Sequence, residues 1–134
     1  MRTRASGKFV VKTWDEKPYA EIEGGGKLTR ASVTQSFEGG IEGEGTVEFL
    51  MMYPAEKSAN FVGLQRVAGR IGSRSGSFVL QCSGVFEGGT ARCTWFVVPG
   101  SGTGELLGLR GDGGYAARHE DYPNTPFTLD FDIE

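Results

Sequence analysis

The chain has 134 residues, enough for one domain that buries a core without disulfide or metal staples. Glycine accounts for 22 of them, more than twice its usual share of about 7%, yet there is neither a Gly-X-Y period nor a low-complexity run, which excludes collagen and linker classes. The charge sum of 14 basic against 17 acidic residues leaves a net of -3 without long like-charge blocks, so the sequence offers no concentrated basic field for nucleic acid or an anionic membrane.

The dominant period is two. Strand-like segments are predicted over Gly7–Trp14, over Tyr19–Glu23 after an Asp15–Pro18 turn, and then over Leu28–Phe37, Gly43–Tyr53, Asn60–Ile71, Ser77–Phe86, Ala91–Val98, Gly104–Gly111 and Phe127–Ile133. Glycine clusters at Gly24–Gly26, Gly39–Gly40, Gly72–Gly76, Gly88–Gly89 and Gly100–Gly102 separate them at hairpin distances. No segment carries a capped 3.6-residue apolar stripe, and Pro54–Ala59 is either one helical turn or a longer connection. Long antiparallel strands must hide an apolar face and protect their edges, and closure does both. The expected fold is therefore all-β, a closed antiparallel barrel of about eight strands in a single domain spanning residues 1–134, with a β-sandwich as the alternative. Phe37-Glu38-Gly39-Gly40 recurs as Phe86-Glu87-Gly88-Gly89, read as shared hairpin geometry rather than a duplicated ligand loop.

Polar residues that share strand parity with apolar neighbours are the candidate site. Gln35 falls with Val33 and Phe37, Gln65 with Val67, Gln81 with Val79, Glu48 with Leu50 and Met52, and Glu105 with Leu107 and Leu109. If those faces point inward, they line an apolar cavity with a few carboxamides and carboxylates, the usual composition of a small-molecule site. An inward carboxylate is costly unless it is paired or its pKa rises, which makes Glu48 and Glu105 the candidate proton carriers. Gln35, Gln65 and Gln81 would orient the guest. Trp95 is a core or cavity wall, and Arg66, Arg70, Arg92 and Arg110 are candidate carboxylate partners. His119 is the sole histidine and lies in a polar stretch, so no metal-ligand spacing exists and no cofactor is implied. There is no nucleophile elbow and no phosphate-binding glycine motif. Cys82 and Cys93 lack CxxC spacing and read as reduced, buried thiols, with a hairpin disulfide as the alternative in an exported chain. The N-terminus has no apolar signal core and no apolar run approaches a membrane span, so a cytoplasmic location is expected.

The block from Trp95-Phe96-Val97-Val98-Pro99-Gly100 through Gly104-Glu105-Leu106-Leu107-Gly108-Leu109-Arg110-Gly111-Asp112-Gly113-Gly114, with Pro126-Phe127-Thr128-Leu129-Asp130-Phe131, Gly7-Lys8-Phe9 and Thr34-Gln35-Ser36-Phe37-Glu38-Gly39, resembles a family of small, mostly bacterial proteins of unknown function. That family is similar in fold to allene oxide cyclase and the dirigent proteins, which hold reactive small molecules in an apolar barrel lumen. The resemblance implies an eight-stranded barrel with a central cavity and points to the Gly104–Gly111 block, Arg110 included, but it transfers no catalytic residues. Two functions compete: a barrel that binds, or also isomerises or cyclises, a small apolar or amphipathic molecule, and a filled barrel that acts through its outer wall as a homo-oligomer or accessory partner. The apolar residues on both faces of Val47–Tyr53 give the second reading its weight.

Overall fold

Side-chain alternation is realised as eight antiparallel strands, and the computed structural model describes residues 2–134. The strands are β1 (Thr3–Glu21), β2 (Lys27–Gly39), β3 (Ile41–Ala55), β4 (Ser58–Ile71), β5 (Arg74–Glu87), β6 (Thr90–Val97), β7 (Leu109–Arg118) and β8 (Asn124–Ile133). Each pairs with its successor and β8 returns to β1, closing the barrel. The β1–β2, β3–β4, β5–β6 and β7–β8 turns share one end, called the mouth below; the remaining connections and both strand termini form the base. The two Phe-Glu-Gly-Gly turns therefore lie at opposite ends, which fits shared hairpin geometry and removes a duplicated ligand loop.

Several boundaries differ from the sequence expectation. The Asp15–Pro18 turn does not exist: the first two segments are one strand that pairs with β2 as far as Glu21, with register shifts between Val11 and Thr13 and between Pro18 and Ala20. Pro54–Ala59 is not helical, because β3 runs to Ala55 and β4 resumes at Ser58. The segment expected as a strand from Gly104 begins instead with a single 3-10 turn at Gly104–Leu106, and β7 starts at Leu109.

That turn closes the base. Thr103 N–H donates to the Ser77 carbonyl at 2.9 Å and Ser77 N–H donates to Thr103 Oγ1 at 3.0 Å, which stitches the β6–β7 connection to β5. Held there, Leu106 and Leu109 are buried with Ile41, Phe78, Leu80 and Leu129. Above this plug lies an aromatic layer in which Phe9, Phe37, Trp95, Tyr115 and Phe127 meet at centroid distances between 5.1 and 6.5 Å. The lower part of the barrel is thus filled by buried side chains, and the internal cavity lies in the mouth half.

Candidate ligand-binding cavity

A cavity of about 410 Å³ opens at the mouth. Its walls are mainly aromatic, with Phe9, Phe49, Phe61, Phe86 and Tyr115 reaching in from β1, β3, β4, β5 and β7. Ala91 and Ala117 face each other across β6 and β7 and also line it, so their short side chains leave the volume free. Thr125 and Gln35 supply polar atoms on the walls and floor, while Trp14, Tyr53, Arg118, His119 and Tyr122 surround the opening. The Gly89 carbonyl accepts from His119 N–H at 2.8 Å, which ties the β5–β6 and β7–β8 turns together along the rim.

Gln35 and Gln65 do come together. Both are inward and nearly fully buried, at 3% and 2% exposure, and Gln65 Nε2 donates to Gln35 Oε1. Gln35 lines the cavity; Gln65 supports it from below, beneath Gly45, where a Cβ would strike its amide. Trp95 does not line the cavity but packs against Phe9 and Tyr115, which do, and its indole N–H donates to the Thr128 carbonyl at 3.0 Å.

The other expected site residues point away from the lumen. Glu48 stands on the outer wall with its side chain 49% exposed, bound by Arg30 at 2.7 Å and by the Ser32 hydroxyl at 2.9 Å. Those two hydrogen bonds hold its carboxyl below the ordinary range, as expected for a surface ion pair rather than a raised-pKa proton carrier. The physical reason is parity: Val47, Phe49 and Met51 fill the core, so the alternate set Glu48, Leu50 and Met52 faces out. Gln81 is outward on β5 by the same rule, since Leu80 and Cys82 are buried. Glu105 is exposed in the base-closing turn, where its Oε1 accepts from Ser75 N–H at 3.1 Å, at the far end from the cavity. Arg110 is exposed on β7 and pairs with Asp132 at 3.2 Å and Glu134 at 3.6 Å.

An inward carboxylate nevertheless exists, and it is Glu16. Up to Val11 the odd residues of β1 face the core, as Phe9 opposite Phe37 and Val11 opposite Gln35. The register shift at Lys12 inserts one residue, after which Trp14 lies opposite Val33 and Glu16 opposite Ala31. One extra residue reverses strand parity, so even-numbered side chains now join the inner face. Glu16 Oε2 accepts from the hydroxyls of Tyr53 and Thr29, each at 2.7 Å, and its Oε1 accepts from the Trp14 indole N–H at 3.0 Å. Partial burial pushes the carboxyl up, but the hydrogen bonds from Tyr53, Thr29 and Trp14, with the Lys27 charge, outweigh it and hold Glu16 below the ordinary range. Burial, then the hydrogen bond to Glu16 and the Glu16 charge, push the Tyr53 phenol far above its ordinary value.

Both shifts have a sign in stability. The lowered Glu16 contributes stability above the unfolded carboxyl value of about 4.3, lost as pH falls through its folded value; the raised Tyr53 contributes below about pH 10 and loses that contribution above it. Glu16→Gln is therefore expected to lower the thermal midpoint most near neutrality, with a deficit that shrinks as pH falls below about 4. Melting curves across pH check this, and an equal deficit at both ends would refute the charged network.

Cys82 and Cys93 are free, buried and inward on β5 and β6. Hydrogen bonding with Cys93 and burial push the Cys82 thiol up, so it is no nucleophile at neutral pH. No group of three or more metal-ligating side chains occurs among the described residues. No helix among them is long and apolar enough to cross a membrane.

Fold and cavity together define the class: an eight-stranded antiparallel closed barrel, packed at its base and open to an aromatic cavity at its mouth. Residues 5–131 match the family described as "Protein of unknown function (DUF3224)", and the chain belongs to that family. It is similar to a DUF3224-family protein of unknown function from Shewanella oneidensis MR-1, known from a crystal structure, with 31% identity over 100% of this chain and 99% of that one and a TM-score of 0.81. No curated protein matches the chain.

Proposed function

We propose that the protein binds one small, largely aromatic or apolar molecule in the mouth half of the barrel. The observation that carries this is the 410 Å³ cavity whose walls are mainly aromatic and whose polar groups Gln35, Tyr53 and Trp14 are held in place by hydrogen bonds to Gln65 and Glu16. Such a volume, with convergent polar groups in an apolar wall, suits a guest of about two to three rings. The likeness to allene oxide cyclase and dirigent barrels drawn from the sequence agrees with a guest held inside. The reading stops at binding. Glu16 already accepts three hydrogen bonds and is a weak base, and the Tyr53 proton is committed to it, so neither is set up to move a proton.

Titration with the neutral fluorophore N-phenyl-1-naphthylamine tests the proposal. Saturable emission with about one probe per chain and a dissociation constant in the micromolar range, on the order of -7 to -8 kcal/mol, is expected. Emission that never saturates, or many probes per chain, would count against a defined cavity.

A second reading has its own observation. Leu50, Val62, Leu64 and Phe96 are 41–56% exposed on the outer wall of β3, β4 and β6, where Leu50 and Val62 are cross-strand partners. An apolar strip of this kind suits association with another subunit. Sedimentation at rising concentration tests it, since self-association weakened by Val62→Ser is expected under this reading and a monomer at all concentrations would end it.

A further inference from the structure

Resting on the cavity reading, we infer that the guest is a neutral molecule with a carbonyl oxygen at its inner end, as in an aryl ketone, an enone or a quinone, and that Gln35 is the donor that recognises it. Gln35 is inward on β2 and only 3% exposed, yet it lines the cavity. Its Oε1 is taken by the Gln65 amide, which leaves Nε2 with its N–H donors and no partner in the chain. No side-chain nitrogen or oxygen among the described residues is both sealed off and unpartnered, so that nitrogen opens onto the cavity. A donor placed there and covered by an apolar guest costs free energy unless the guest supplies an acceptor.

The other polar groups of the lining do not compete for that role. The Trp14 indole N–H and the Tyr53 hydroxyl are spent on Glu16, and Tyr115, the cross-strand partner of Cys93, is hydrogen-bonded to that thiol. Thr125 is buried opposite Phe9 on β8, but a hydroxyl donates and accepts alike and so sets no preference of its own. A charged head suits the floor poorly. The cations of the lining, Arg118 and His119, belong to the opening, and a carboxylate or an ammonium at Gln35 would lose its water with only a neutral amide beside it. A carbonyl oxygen brings two lone pairs, no charge and no proton that needs a further acceptor. With that oxygen on Gln35, the body of the guest lies among Phe9, Phe49 and Phe61.

The test compares 2-acetonaphthone with its hydrocarbon counterpart 2-isopropenylnaphthalene and its charged counterpart 2-naphthoate, each displacing N-phenyl-1-naphthylamine at neutral pH. In the native chain the ketone is expected to bind at least as tightly as the hydrocarbon, although it leaves water less readily, and more tightly than the carboxylate. Its carbonyl stretch should fall below the value in hexane. In Gln35→Met, which keeps the length of the side chain without the amide, the ratio of ketone to hydrocarbon affinity should drop at least about fivefold and the stretch should return towards its hexane value. A Gln35 that only holds the wall together would weaken both probes alike, and an unchanged ratio in the folded variant overturns the inference. So does a native chain that prefers the hydrocarbon or the carboxylate, displacement by none of the three, or a ratio that collapses in Thr125→Val but not in Gln35→Met. If Gln35→Met does not fold, the native ranking and the carbonyl stretch decide. In all these cases the fluorophore still binds and the cavity reading stands. If the fluorophore itself does not bind, the cavity reading falls and takes the inference with it.

Discussion

Trp95→Ala is expected to cost about 4–5 kcal/mol, towards the upper end for deletion of a buried aromatic, and to lower the thermal midpoint by about 15 °C. Three terms combine. The indole is 2% exposed and fills the centre of the aromatic layer against Phe9, Phe37, Tyr115 and Phe127, so a cavity replaces many close contacts. The Thr128 carbonyl loses the donor that satisfies it at 3.0 Å. The cavity floor, which rests on Phe9 and Tyr115, loses its support. Trp95→Phe retains a ring without the N–H and should cost about 1–2 kcal/mol. Denaturant melts of the two variants measure the difference; equal losses would show that packing around Trp95 is looser than described.

Gly69→Ala is expected to destabilise by about 3 kcal/mol or more, a loss unusual for one added methyl. Gly69 in β4 lies opposite Gly43 in β3, and a Cβ at Gly69 would fall on the Glu42 carbonyl, which belongs to the neighbouring backbone and cannot swing aside. The two glycines let β3 and β4 approach closely where the barrel wall bends. Gly72 provides the contrast. It has a positive φ of 60° in the β4–β5 turn but nothing near its missing Cβ, so Gly72→Ala should cost only about 1–2 kcal/mol of backbone strain. Comparable losses at the two positions would contradict the close approach.

The barrel was legible because closure leaves period-two patterning and glycine turns in the sequence. Val47, Phe49 and Met51 on β3, or Phe61, Gln65 and Val67 on β4, alternate without interruption, and their strands were placed within a few residues. Parity alone does not say which set is inside, and that misplaced Glu48 and Gln81. Gln35 and Gln65 fell on the correct face because their neighbours Val33, Phe37 and Val67 are the buried set. Glu16 was hidden for a different reason. A bulge at Lys12 has no side-chain signature, yet it exchanges the faces of the strand from there to the second irregularity after Pro18, and Asp15-Glu16-Lys17-Pro18 reads as a turn until β2 is laid beside it. Proline is tolerated there next to the second irregularity, between Pro18 and Ala20. The Gly104–Gly111 block misled in the opposite direction: Leu106 and Leu109 are core residues, but they reach the core by capping the base, and Glu105 is left outside.

The account's central claim is that a guest enters the barrel rather than lying on its outer wall, and one paired measurement separates the two. Ala117→Phe places a ring into the cavity opposite Ala91, whereas Leu50→Ser removes apolar surface from the outer wall. With N-phenyl-1-naphthylamine as probe, Ala117→Phe is expected to weaken binding by at least about tenfold while remaining folded, and Leu50→Ser to leave it within about twofold. Binding that survives Ala117→Phe but is lost in Leu50→Ser would contradict the account and move the site to the outer wall.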